Sequence, residues 1–257
     1  MRGGLNERKR GIMLELEIWY IKNNNINELD IDYFDVRNEP LLNISQVFLK
    51  KMRKKFPKYS SLYIIFYENL TEEEKKRIRI EHGEKREYYF KETNINELIS
   101  KKDLEFLRET LKTLKEGLIH SKFRECLSDD EINKFENYVY EKNFIYTQNI
   151  DIKNNKTKTR KAVLKGVLTS GQLNLFLEIR DLKARKSIYE KCVFELPPSV
   201  IPSKSGLNPI DLYGYELYWE NDNTIDIIIN TVGNRLRTKI YQKSDASVLT
   251  KQQRIKS

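Results

Sequence analysis

The apolar residues change period partway along the chain, and one kind of layer cannot satisfy both periods. Leu104, Leu107, Leu111, Leu114 and Leu118 recur at spacings of three and four, which is one stripe of a helix. Ser128 and Glu131 stand in capping-box spacing ahead of a second stripe, Ile132, Phe135 and Val139. The short connection between them predicts an antiparallel pair. Beyond residue 161 the period falls to two. Residues 162–168, 173–181, 188–196, 213–220, 225–232 and 236–241 read as strands separated by polar or glycine-containing turns.

The first part of the chain mixes both periods. Residues 14–21 (LELEIWYI) alternate, and residues 62–67 form a short apolar run, so each predicts a strand. Asn43 and Gln46 are spaced as a variant capping box before Ile44, Val47, Phe48 and Met52, and Pro57 closes that helix. Thr71 and Glu74 form another capping box. Residues 77–81 alternate, His82 to Lys85 suit a turn, and residues 86–91 bring Tyr88, Tyr89 and Phe90, which reads as a hairpin. One longer helix from Glu72 is the competing reading.

These elements predict an α+β fold. A mixed N-terminal part, compatible with a ferredoxin-like unit plus a helical pair, spans residues 13–150. Residues 1–12 read as a disordered extension. Residues 151–161 (DIKNNKTKTRK) are basic and nearly free of apolar side chains, so they read as a linker or long loop. Residues 162–243 form an antiparallel β part, with a proline-marked loop from Pro197 to Pro209, and residues 244–257 a frayed polar tail.

Composition narrows the function classes. Lysine and arginine total 47 against 38 acidic residues, a net charge of +9, which favours nucleic acid or an acidic protein as partner. Asparagine and isoleucine are abundant too, so a compositional origin of the lysine excess is the competing reading. Cys126 and Cys192 form no metal-binding pair, and lone thiols suit a reducing, cytoplasmic setting. No apolar run reaches the roughly 18 residues of a membrane-spanning helix. No glycine-rich phosphate loop and no nucleophile elbow occurs, and no cofactor is expected.

Two basic clusters are the candidate nucleic-acid contacts. Lys50, Lys51, Arg53, Lys54, Lys55 and Lys58 lie on or just after one helix. Lys153, Lys156, Lys158, Arg160 and Lys161 lie in the basic loop. Facing a common groove, they would neutralise phosphates, with Tyr59, Tyr63 and Tyr146 available to stack on bases. The expected function is therefore non-enzymatic association with DNA or RNA. The alternative is a protein-interaction module, such as an immunity or antitoxin-like inhibitor, using the β half. There Tyr213, Tyr215, Leu217 and Trp219 alternate toward one face, and Glu216 and Tyr218 toward the other.

A nuclease is the third reading. Asp30 and Asp32 form a D-x-D pair suited to a divalent cation, and Asp151 with Lys153 and Asp181 with Lys183 have the local form of metal-dependent nucleases. His120 closes the leucine-striped helix, where its dipole favours a histidine. Arg77 and His82 stand in an R-x-x-x-x-H arrangement. An arginine to hold phosphate charge and a histidine to move a proton suit phosphodiester chemistry. These six residues resemble the catalytic motif of HEPN-type ribonucleases, which implies that pair as catalytic. In that family the motif sits on a helix, whereas here it is expected in a hairpin.

Overall fold

The structure is a computed structural model that describes residues 13–22, 35–57, 59–196, 210, 214–231, 234–242 and 248–255. It divides into two units, Met1–Phe144 and Ile145–Ser257. The fold class is α+β, with a parallel sheet in the first unit and antiparallel sheets in the second.

In the first unit, β1 (Met13–Lys22), β2 (Tyr59–Glu68) and β3 (Glu87–Glu92) pair in that order, all parallel. Period two sorts their side chains. Leu16, Ile18 and Tyr20 share one face with Leu62, Ile64, Phe66 and Tyr89, and Trp19 and Ile21 share the other with Tyr63, Ile65, Tyr67 and Phe90. Both faces are buried, as parallel sheets require. On the first face lies α1 (Glu39–Lys51), whose preceding Asn38 donates to the Tyr20 hydroxyl at 2.7 Å. The same face receives α4 (Asp103–His120), where Glu116 accepts from Tyr89 and Lys91. On the second face lies α2 (Glu72–His82), which buries Ile78 against Ile21, Tyr63, Ile65 and Tyr67. The helices that follow β1 and β2 thus lie on opposite faces of the sheet. The unit also contains α3 (Ile95–Ser100), α5 (Phe123–Cys126) and α6 (Asp129–Glu141).

Three expectations are corrected here. Residues 77–81 belong to α2, not to a hairpin. The Thr71 capping box forms with both hydrogen bonds, and the helix buries Ile78 while leaving Ile80 56% exposed, so the local alternation carried no strand. With a helix between them, β2 and β3 pair in parallel, and the ferredoxin-like topology does not form. Asn43 caps nothing. It is buried inside α1, which starts at Glu39 with Pro40 in its first turn, and its amide donates to the Glu39 carbonyl at 2.8 Å.

In the second unit, β4 (Tyr146–Asn154), β5 (Arg160–Leu168), β6 (Leu173–Asp181) and β7 (Lys186–Leu196) form one antiparallel sheet in sequence order. β8 (Gly214–Asn221), β9 (Thr224–Thr231), β10 (Asn234–Gln242) and β11 (Val248–Ile255) form a second. Their inner faces share one core, Leu164, Leu175, Leu177 and Ile179 with Leu217, Ile225, Ile227, Ile229 and Ile240. The basic stretch is no linker. It is the end of β4, a turn, and the start of β5. Asn155, 2% exposed, organises the turn by donating to Thr157 and Thr159 and accepting from the Arg160 amide. The polar tail likewise contributes β11, whose backbone pairs with β10 from Val248 to Ile255.

Candidate nucleic-acid interface

The first basic cluster is set by how α1 ends. Leu41, Leu42, Ile44 and Leu49 face inward, so the intervening charged positions of the last turn face out. Lys50 and Lys51 occupy that turn, where cations complement the helix dipole. Arg53, Lys54 and Lys55 follow on one 3₁₀ turn, and Phe56 is buried beneath it. All five cations are exposed. Lys55 is neutralised by Glu131 of α6. Lys50, Lys51, Arg53 and Lys54 have no ion-pair partner among the described residues. Lys58 lies outside the described residues.

Helix α6 packs along this end of α1. Phe48 meets Phe135 and Tyr138 at ring-centroid distances of 5.6 and 5.3 Å. Lys51 then lies with its ammonium 4.6 Å from the centre of the Tyr138 ring, and Lys142, just past the end of α6, with its own at 5.6 Å. Tyr138 is thus an aromatic group inside the basic face, contributed by a helix remote in sequence.

The other tyrosines named as base platforms stand differently. Tyr63 is 1% exposed and packed on Trp19 and Tyr88. Tyr146 packs on the core of the second unit. Neither offers an open ring face, because both strands direct these positions inward. The side chain of Tyr59 lies outside the described residues.

The second basic cluster belongs to the second unit. Lys153 pairs with Asp151 at 3.5 Å, and Arg160 donates to the Asp222 carbonyl at 3.2 Å and to Asn223 at 3.0 Å. Lys156 and Lys158 are exposed in the β4–β5 turn, where Lys158 has a φ of 55°. Lys161 points from β5 beside Asn154 and Arg180, on the face opposite the shared core.

The nuclease candidates that the structure describes are not assembled. Arg77 and His82 both lie on α2, but five residues turn a helix by about 140° past a full turn, onto different faces. Arg77 donates to Glu81 at 2.6 Å and faces solvent. His82 turns in against Trp19, with ring centroids 4.9 Å apart. Burial pushes its pKa below the ordinary value, and its Nε2 is enclosed without a partner. Beside it, Glu17 accepts from the Trp19 indole at 2.8 Å, and burial raises its pKa. Asp181 accepts from the Ala184 amide in the β6–β7 turn. Asp30 and Asp32 lie outside the described residues, and no group of three metal-ligating side chains occurs among the described ones. His120 ends α4 and stacks on Tyr89, with centroids 5.8 Å apart.

No helix among the described residues is long and apolar enough to cross a membrane. No family model, curated protein or solved structure matches the chain.

Proposed function

We propose that this chain is a non-enzymatic nucleic-acid-associated protein that holds the phosphate backbone through its basic clusters. The supporting observation is the α1 end, where Lys50, Lys51, Arg53 and Lys54 are exposed together without ion pairs among the described residues. Elsewhere in the first unit, Lys75, Lys91, Lys115 and Lys122 are matched by carboxylates, and Lys76, Lys85 and Lys112 are exposed without an ion pair among the described residues, but the α1 end gathers four such cations between residues 50 and 54. A compositional lysine excess would be spread across the surface. A concentration of unneutralised charge on one turn is what phosphate binding needs.

The test is fluorescence anisotropy of labelled oligonucleotides across a salt series, with a variant carrying Lys54→Glu and Lys158→Glu. The expected result is micromolar or tighter binding at low salt that weakens steeply with added salt and with the variant. Absence of binding at low salt would overturn the proposal.

The second reading, a protein-interaction module, is favoured by β8. It is an edge strand of its sheet, with Glu216 and Tyr218 on the outer face. An aromatic protein interface would resist salt. Salt-resistant pull-down of a protein partner, lost on Tyr218→Glu, is its expected signature.

A further inference from the structure

We infer that the basic face prefers single-stranded nucleic acid, with Tyr138 as the platform on which an unpaired base stacks. This deepens the phosphate-binding reading and rests on it.

Charge alone does not distinguish a duplex from a single strand. A duplex offers a denser line of phosphates, but its bases are already stacked on one another. An exposed aromatic ring within a cationic surface therefore contributes only to unpaired bases. Tyr138 is half-buried, and the part of its ring left open lies in that setting. Lys134 on α6 and Lys142 just past its end stand four residues to either side of Tyr138, on the same side of the helix. From α1, Lys51 approaches the same ring. Phe48 and Phe135 support the seam from below, and Phe48 contacts Tyr138 at a tilt of 43°, which steadies the ring without covering it in parallel.

The two ammonium groups now near the ring do not bar a base. Cation–π contacts at exposed sites are weak, about 0.5–1 kcal/mol. A lysine that leaves the ring for a phosphate exchanges a weak contact for a charge-assisted one. Lys51 and Lys142 would thus release the ring face and hold the phosphates flanking the stacked nucleotide. Of the acids on α6, Asp130 is engaged by Lys134 and Glu131 by Lys55, while Glu141 is exposed beside Tyr138 and opposes the strand until Lys51 and Lys142 reach its phosphates.

The experiment compares a labelled twelve-nucleotide oligothymidine with a duplex of the same length at several salt concentrations. It uses the full chain, Tyr138→Phe and Tyr138→Ala. Expected is tighter binding of the single strand by the unaltered chain. Tyr138→Ala should lose about tenfold of that affinity with the salt slope unchanged, while duplex binding stays the same. Tyr138→Phe should keep the preference, because the ring and not the hydroxyl stacks. Unchanged duplex binding also reports that Tyr138→Ala has folded, and a thermal melt of each variant confirms it. Equal binding of both forms, or single-strand binding indifferent to Tyr138→Ala, would overturn the stacking inference and leave phosphate binding standing. Loss of all binding in the unaltered chain would overturn both.

Discussion

Glu39 shows what a single position can cost. It opens α1 at 5% exposure, and among the described residues only the Asn43 amide is hydrogen-bonded to its carboxylate. Burial pushes its pKa up to about 7. The protonated acid is therefore favoured by the fold, and the unfolded chain gives up that proton at lower pH. Stability then falls as pH rises from the ordinary carboxylate range toward neutrality, by at most about 3 kcal/mol. Glu39→Gln should abolish that part of the slope and raise the melting temperature at pH 8 more than at pH 5. Equal effects at both values would contradict the assignment. Asp226 has the opposite sign. Burial alone would raise its pKa, but hydrogen bonds from Arg237 and from Tyr218 at 2.6 Å outweigh it and hold the carboxyl below its ordinary value. Its contribution is present at neutral pH and is lost as acid protonates it.

At the scale of elements, the close approach of α4 to the sheet depends on Gly117. A Cβ built there would lie 2.4 Å from Ile64 Cδ1 and 3.3 Å from Tyr89 Cβ. Gly117→Ala should destabilise the first unit by about 1–3 kcal/mol, despite the better helix propensity of alanine. Ile64→Val removes the atom that is struck, so the double variant should recover part of that loss in a melting experiment. If Ile64→Val adds its own cost independently, the helix is not seated as described. The caps are local by comparison. Ser128 and Glu131 exchange both capping hydrogen bonds at the start of α6, and Ser128→Ala should cost about 1 kcal/mol, read by chemical denaturation. Because α6 carries Tyr138, the same variant should weaken single-strand binding only as far as it loosens the helix.

At the scale of the molecule, each unit carries one of the two basic clusters, so their shares are separable by substitution. Each lysine that neutralises a phosphate should reduce the salt slope by about 0.7–0.9 when it is removed. Measuring Lys54→Glu and Lys158→Glu singly as well as together shows whether both clusters touch the same strand. The α+β class, the leucine-striped helix, the Ser128 and Thr71 caps and most strands of the second unit were legible in the sequence. In those places local propensity, period and turn chemistry agree. Residues 77–81 misled because five residues of alternation fit either structure, and burial of Ile78 without Ile80 decided between them. Residues 151–161 misled because an exposed hairpin needs few apolar side chains once Asn155 ties its turn. The basic run from Lys50 to Lys55 is visible in the sequence, but that four of its side chains have no ion pair among the described residues is not. Nor is Tyr138, since only the packing of α6 on α1 brings it beside Lys51. Sequence by itself determined the periods, caps and charge, which depend on near neighbours along the chain. The tertiary structure alone decided which strands run parallel, which cations meet a carboxylate and which aromatic ring lies beside the basic run, because those depend on contacts between residues far apart in the chain.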